Sequence, residues 1–183
     1  MKPKRQFNFL LISLVVLLLD QASKIIVRHY MDLHQEIRLL GDLFSLTYIE
    51  NPGAAFGFSP GSAEFNRIFF SVASFCIFFI ILIMLRQSKH FIEKLAYSLV
   101  IGGAIGNLID RVFLGAVTDF IDFDFFYPFG FIQGRYPVFN IADSAIVVAV
   151  TLLLYYVIFM AHKEEIKEKK TEQKAELQEK KDE

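Results

Sequence analysis

Two aspartates border strongly apolar parts of this sequence. Asp119 lies in the run 117–120, which reads VTDF, and Asp143 follows the run 139–142, which reads FNIA. Ionisable side chains next to membrane-depth segments are costly to maintain, so a functional role is the first hypothesis for them. Two carboxyl groups that converge on one water can act as general base and general acid in amide hydrolysis. The pair therefore predicts acid–base cleavage of an amide bond.

Asp143 has an equally good structural explanation. Asn140 is a favoured helix N-cap, and an acid three residues later suits the positive end of the helix dipole. At ~1.5 Å rise per residue, Asp143 would lie only about 4.5 Å along that helix, at a wet–dry boundary. The partner also stays open at this point, because Asp122 and Asp124 rival Asp119.

The elements that position these acids are apolar segments. The chain has 183 residues, 54% of them hydrophobic, with 21 Phe and a mean hydropathy of +0.42. Four stretches approach the roughly 20 residues that cross a bilayer: about 7–27, 68–85, 95–111 and 141–161. The first lacks a small-x-small cleavage site, which favours a retained helix over a removed leader. The fold class predicted is an all-α integral membrane protein with four transmembrane helices.

Charge sets the expected orientation. Thirteen of the 19 Lys and Arg lie before the first span, between spans two and three, or after span four. The positive-inside rule then places both termini in the cytoplasm. Seven of the thirteen belong to the tail 163–183, so the basic N-terminus and the turn 86–94 carry the argument. This orientation puts both aspartates near the outer face.

The two outer loops are long. In the first, 43–49 is rich in β-formers and predicts a strand, 51–53 is a turn signal, and 54–58 predicts a second short strand. These strands would form a small sheet at the membrane surface. The second loop, 112–139, is dense in Phe, which is typical of a segment lying in the lipid interface or lining an apolar groove.

Other polar groups favour structural roles. Gly102 and Gly106 are spaced for close helix packing on the third span. Asp20 and Lys24, four residues apart, can pair along the first helix. The adjacent charges of Asp110–Arg111 favour an ion pair or a hydrogen-bonded anchor at a helix end.

Several function classes find no support in the sequence. The four His do not form a metal-like cluster, and P-loop, G-x-G-x-x-G and G-x-S-x-G motifs are absent. A net charge of −1 gives no global field for nucleic acid. We expect no metal, no cofactor, no nucleotide and no nucleic-acid partner. A small transporter and a non-enzymatic membrane assembly factor are the alternatives to a protease.

Five blocks, in this order along the chain, resemble the signature motifs of lipoprotein signal peptidases, also called signal peptidase II. They are Asp20–Lys24, Asn51–Phe56, Gly106–Arg111, Val117–Phe120 and Phe139–Ser144. The resemblance covers roughly residues 8 to 160. Two departures stand out: Thr118 replaces a residue that is commonly aliphatic, and Arg135-Tyr136 precedes Pro137 where Trp is common.

The resemblance implies a multi-pass aspartic protease of the bacterial inner membrane. Such enzymes remove the signal peptide from prolipoproteins that already carry diacylglycerol on a cysteine, cutting just before that cysteine, with membrane lipid around them. The implied fold has four transmembrane helices, an extracytoplasmic β-sheet and a short interfacial helix. We further predict one peptidase domain over 1–162, followed by the charged cytoplasmic tail 163–183, which lies outside the resemblance.

The resemblance also assigns residues. It implies that Asp119 and Asp143 are the catalytic aspartates. The residues implied to bind substrate or support the aspartates are Asn51, Gly53, Asn107, Arg111 and Asn140. The structural polar residues are Asp20, Lys24 and Asp110.

Overall fold

The computed structural model describes residues 3–53, 61–123 and 136–161. In chain order its elements are α1 (Pro3–Tyr30), β1 (Glu36–Leu40), β2 (Phe44–Asn51), α2 (Ala63–Gln87), α3 (Phe91–Phe113), β3 (Val117–Phe123) and α4 (Ile141–Tyr156), which continues as a π-helical turn over Val157–Ala161.

All four predicted spans are helices long and apolar enough to cross a membrane. They cover Phe9–Tyr30, Ala63–Gln87, Phe91–Phe113 and Ile141–Met160. The second begins earlier than the hydropathy indicated, because the Ser62 side chain accepts a hydrogen bond from the Phe65 N–H and caps a polar first turn. The prediction of a four-helix membrane protein is confirmed.

Small residues let α3 pack tightly against α1 and α4. A Cβ added at Gly102 would lie 2.7 Å from the Ser13 carbonyl oxygen on α1. One added at Gly103 would lie 2.6 Å from the Ala142 carbonyl oxygen on α4. One added at Gly106 would meet the Asp20 carboxylate at a similar distance, 2.5 Å. The predicted packing role of Gly102 and Gly106 is confirmed: a side chain at Gly102 would push α3 away from α1, and one at Gly106 would displace the Asp20 carboxylate.

The three strands form one antiparallel sheet in the order β1-β2-β3. β2 confirms the strand predicted at 43–49. β3 corrects the sequence interpretation, which had Asp119 in a loop: Val117–Phe123 pairs with β2, and Ile49 lies opposite Asp119. The register shifts between Leu46 and Ile49, next to that pair. The strand predicted at 54–58 lies outside the described residues.

The sheet packs on the end of the bundle where α1 and α3 finish and α2 and α4 begin, hereafter the sheet end. Val27 at the end of α1 and Met31 just after it bury Tyr48 of β2 and Phe120 of β3 in one apolar cluster. Phe120, 6% exposed, is therefore a core residue and not part of a lipid-facing belt. The described part of the chain holds no separate short helix, so the interfacial helix remains a prediction. The tail 163–183 lies outside the described residues.

Candidate active site

Asp119 lies on β3 with both carboxylate oxygens hydrogen-bonded. Asn140 Nδ2 donates to Oδ1 at 2.7 Å, and Asn51 Nδ2 donates to Oδ2 at 3.0 Å. The side chain of Asn51 is itself fixed, because its Oδ1 accepts from the Gly53 N–H at 3.0 Å. Asp119 is 1% exposed. Two neutral amides thus orient this buried carboxyl group.

Asp143 lies one turn into α4 and is only half-buried. Asn140 caps the helix by accepting from the Asp143 N–H at 2.9 Å, and Asp143 Oδ2 accepts from the Asn140 N–H at 3.3 Å. The two residues form a capping box, so the capping interpretation is confirmed. Asp143 Oδ1 has a further role, since it accepts from Asn107 Nδ2 at 2.8 Å. The Asp143 carboxylate therefore caps α4 with one oxygen and binds Asn107 with the other.

Two asparagines connect the aspartates. Asn140 Nδ2 reaches both Asp119 Oδ1 and Asn107 Oδ1, the latter at 3.1 Å. Asn107 in turn donates to Asp143. The hydrogen bonds therefore run without a break from Asp119 on β3 to Asp143 on α4. The negative charge of Asp143 also raises the pKa of Asp119.

A fully buried cation, Lys24, contacts Asn107, one of the two connecting asparagines. Lys24 Nζ contacts Asp20 Oδ2 at 2.9 Å, Asp110 Oδ2 at 3.0 Å and Asn107 Oδ1 at 2.9 Å. Lys24, Asp20 and Asp110 are each 0% exposed. All three protons of the ammonium group are used, so the cluster satisfies itself and fixes the amide orientation of Asn107.

Asp20 and Asp110 also bind backbone groups. Asp20 Oδ1 accepts from the Ala142 N–H at 2.9 Å, which joins α1 to the start of α4. Asp110 Oδ2 accepts from the Thr118 N–H at 3.0 Å, which joins α3 to β3. Asp110 thus anchors the strand and pairs with Lys24, and its neighbour Arg111 points elsewhere.

Arg111 lies at the edge of the same site. Its Nη2 donates to the Gly53 carbonyl oxygen at 3.2 Å, and its guanidinium carbon lies 5.5 Å from the centre of the Phe70 ring. Its Nε is buried and has no hydrogen-bond partner among the described residues. Arg111 therefore ties the turn after β2 to the end of α3.

Burial raises the pKa of Asp119 from its ordinary value of 3.8 to about 7. Desolvation is the largest cause, and the charge of Asp143 adds to it. The hydrogen bonds from Asn51 and Asn140, and the charge of Lys24, act in the opposite direction and lower the pKa. Asp119 is consequently able to hold a proton at near-neutral pH.

Both aspartates line a cavity of about 750 Å³ at the sheet end. Its other polar lining residues are Glu50, Asn51, Asn107, Arg111 and Ser144. The rest of the lining is largely apolar, with Ile49, Pro52, Val117, Tyr136, Pro137, Val138, Phe139, Ile146, Val147 and Val148. Such a site suits an extended, largely apolar peptide with one polar group presented to the aspartates.

The rival acid Asp122 does not join this site. Asp122 is absent from the cavity lining and accepts a hydrogen bond from the Thr47 hydroxyl at 2.8 Å. Asp124 lies outside the described residues. Within the described ranges, no three His, Cys, Asp or Glu side chains cluster as a metal site would require.

The site includes residues that the sequence did not single out. Gln21 Nε2 contacts Asp20, Asp110 and the Gly106 carbonyl oxygen at 3.0–3.3 Å. Arg28 Nη1 donates to the Thr118 hydroxyl at 2.8 Å. Gln21 stands inside the first motif block, and Thr118 departs from the aliphatic pattern, so both carried a signal. Arg28 carried none.

A family model described as signal peptidase (SPase) II matches residues 12–159. The chain is 41% identical over 160 residues to a lipoprotein signal peptidase of Coxiella burnetii, covering 86% of this chain and 93% of that protein. It is 37% identical over 146 residues to one of Halothermothrix orenii, covering 80% and 92%.

Solved structures agree with this relationship. One described as a bacterial membrane enzyme at 2.3 Å resolution superposes with a TM-score of 0.72 at 30% identity, covering 82% of this chain and 87% of the other. A second, described in the same words at 1.9 Å, gives 0.71 at 29% identity, covering 84% and 94%.

Proposed function

The chain belongs to the signal peptidase II family, and we propose that it performs the family's reaction, removal of signal peptides from prolipoproteins, with Asp119 and Asp143 as its catalytic acids. One observation carries the proposal. A continuous set of amide hydrogen bonds through Asn140 and Asn107 holds the two carboxyl groups on one cavity wall. The enzyme is thus proposed to be an aspartic endopeptidase.

The two carboxyl groups divide the proton work. Asp119, whose pKa is about 7, holds a proton and donates a hydrogen bond to the carbonyl oxygen of the scissile amide. Asp143, half-buried and reachable by water, takes a proton from the attacking water molecule. The hydroxide adds to the carbonyl carbon to give a tetrahedral intermediate. The C–N bond then breaks, and the departing amine of the downstream residue takes the proton that Asp143 received from water, which restores the Asp143 carboxylate.

The fixed polar groups prepare the site for this step. The amides of Asn51 and Asn140 hold Asp119 before substrate arrives, so little reorganisation is needed during the reaction. Asn107 does the same for Asp143. Arg111 and Gly53, at the cavity edge, are proposed to hold the substrate backbone, with the buried Nε of Arg111 as a donor that the described residues leave unused.

The cavity also suits a lipid-bearing substrate. Ile146, Val147 and Val148 line it, and Val147 and Val148 are 58% and 51% exposed on the outside of α4. The cavity wall therefore continues into the surface of a membrane-spanning helix. We propose that the diacylglyceryl chains on the substrate cysteine lie along this surface in the bilayer, while the scissile amide reaches the aspartates before that cysteine.

The same proposal assigns a place in the cell. The protein is a multi-pass membrane protein, and the excess of Lys and Arg supports cytoplasmic termini. The sheet end then faces outward from the bacterial inner membrane, which is where an exported prolipoprotein presents its signal peptide. Residues 1–162 form the peptidase domain in this proposal, and 163–183 its cytoplasmic tail.

Cleavage by the purified protein in detergent micelles tests the function. We expect a diacylglyceryl-modified prolipoprotein to yield two products whose masses place the cut directly before the modified cysteine. The same prolipoprotein without its diacylglyceryl group is the matched control and should be cut much more slowly. Failure to cleave the modified substrate, with the protein folded, would contradict the proposed function.

The pH dependence tests the assignment of Asp119 as the protonated acid and Asp143 as the base. Because the pKa of Asp119 is about 7, its proton is present below that pH and lost above it, so the rate should fall as the pH rises through about 7. At low pH the pair binds its second proton and loses its base, so the rate should fall again. A bell-shaped profile of kcat/KM is expected, measured with substrate well below KM, because kcat/KM reports the pKa values of the free enzyme. A rate unchanged from acid to alkaline pH would contradict the mechanism.

A further inference from the structure

Thr118, the residue before Asp119, is bound at every polar group. Its N–H donates to Asp110 Oδ2 at 3.0 Å, and its hydroxyl accepts from Arg28 Nη1 at 2.8 Å. Its carbonyl oxygen accepts a longer bond, 3.4 Å, from Asn140 Nδ2. The side chain is 1% exposed. One strand residue is thus fixed by α1, by α3 and by the cap of α4.

Arg28 supplies the contact from α1. It lies one turn after Lys24, and its Nη1 is 3.7 Å from Asp110 Oδ1. The charged or titratable groups facing it are Asp110 on α3 and Tyr48 on β2, whose hydroxyl donates to Glu50. Of these, the structure gives a direct ion pair with Asp110. The guanidinium group is therefore held by one charge while it binds the Thr118 hydroxyl.

The sheet alone does not fix this part of β3. The register between β2 and β3 shifts between Leu46 and Ile49, so two residues of β2, Thr47 and Tyr48, lie opposite one residue of β3, Phe120, directly beside Asp119. Strand pairing is weakest at such an irregularity, and bulges commonly serve to aim a side chain. On the C-terminal side of Asp119, the N–H groups of Phe120 and Ile121 donate to the Phe139 carbonyl oxygen at 3.0 and 2.7 Å. On its N-terminal side, the contacts of Thr118 supply the attachment.

We propose that Arg28 and Thr118 are positioning residues for Asp119, forming a hydrogen-bonded brace between α1 and β3. Neither is a lining residue of the cavity. They act through the backbone of β3, which sets where the Asp119 oxygens meet Asn51 and Asn140. A displacement of about 1 Å in a reacting group can cost up to roughly 100-fold in rate, so a lost brace should be visible in kcat.

The test compares Arg28→Met, Thr118→Val and the double variant in the cleavage assay. Each single change removes one side of the same hydrogen bond, and Thr118→Val keeps the side-chain shape. We expect each to lower kcat by about 10-fold with KM changed less than about twofold. The double variant should lose no more than Arg28→Met alone, because that change already removes the hydrogen bond to Thr118 together with the ion pair to Asp110. Thr118→Ser, which restores the hydroxyl, should recover most of the rate.

Two further readouts separate positioning from mere stability. Weaker bonds from Asn51 and Asn140 would stabilise the Asp119 carboxylate less, so the alkaline limb of the pH–rate profile should move to higher pH in both single variants. Arg38→Met is the control, since Arg38 lies exposed on β1 of the same sheet and pairs there with Glu36 and Asp42, far from the aspartates in the strand order. It should match the wild type in rate and profile.

The outcomes are distinguishable. Losses that multiply to about 100-fold in the double variant, or an unchanged kcat and pH profile with only a lower unfolding temperature, overturn the brace. The inference rests on the proposed role of Asp119, so Asp119→Asn is assayed beside these variants. If Asp119→Asn cleaves normally, the dyad fails and the brace fails with it. If it is inactive while Arg28→Met and Thr118→Val equal the wild type, only the brace fails.

Discussion

Asp119→Asn and Asp143→Asn should each lower the rate of prolipoprotein cleavage by a factor on the order of 10⁴ or more, the scale seen when one member of a catalytic unit is removed. Each change keeps the side-chain volume but removes a group that can bind and release a proton near neutral pH. The two losses should not multiply, because the carboxyl groups act on one reaction as a pair. The measurement is single-turnover cleavage of the diacylglyceryl-modified substrate.

Asp122→Asn is the matched control for the dyad variants. Asp122 lies three residues after Asp119 on the same strand and is also buried, at 4% exposed, but it does not line the cavity. We expect its rate to stay within about threefold of the wild type, since it takes no part in the proposed proton transfers.

The folding of every variant is checked by thermal unfolding in detergent. The amide that Asp119→Asn introduces would turn an NH₂ group toward Asn51 or Asn140, both of which now donate to the carboxylate. A buried donor left without an acceptor costs about 1–3 kcal/mol, so a modest loss of stability is expected. Normal cleavage by folded Asp119→Asn would rule out the aspartic mechanism.

Lys24→Met should have the largest effect on stability. The change removes the only cation in contact with both Asp20 Oδ2 and Asp110 Oδ2 among the described residues, and leaves two carboxylates that are 0% exposed. Breaking a buried ion pair by removing one partner typically costs about 3–5 kcal/mol. The expected result is a markedly lower unfolding temperature in detergent, together with loss of cleavage because Asn107 loses its fixed donor.

Lys89→Met makes the same chemical change at an exposed position between α2 and α3. It should unfold at the wild-type temperature and cleave normally. A second variant, Lys24→Met combined with Asp20→Asn, removes the buried charge that keeps no other ion pair among the described residues, whereas Asp110 keeps Arg28, and it should recover part of the lost stability. If Lys24→Met unfolds at the same temperature as Lys89→Met, the buried cluster does not stabilise the fold.

The membrane architecture was predictable because hydropathy acts locally. Each span is a run of apolar residues whose backbone polar groups must be satisfied within a helix, so length and composition suffice to find it. The strand at 43–49 was found for a similar reason, since β-branched and aromatic residues favour an extended backbone. The cap at Asn140 was found because capping depends on residues three positions apart.

β3 could not be found in this way. The run 117–123 has apolar and acidic residues on both of its faces, so it shows no clean alternation, and its strand conformation depends on pairing with β2, which lies far earlier in the chain. The partners of Asp110 were equally hidden. Its neighbour Arg111 looked like the natural partner, yet Lys24 and the Thr118 N–H take that place because the packing of α1 and β3 against α3 brings them closer.

The sequence by itself determined the four spans, the motif blocks and the choice of residues that could do chemistry. Only the tertiary structure decided how they meet: that Asn140 and Asn107 connect Asp119 to Asp143, that Lys24 lies buried beneath them, and that Arg28 holds Thr118. The physical reason is range. Helix formation, capping and hydropathy act over a few residues, whereas a hydrogen bond between side chains far apart in the chain exists only once close packing at glycines has set the distances between helices.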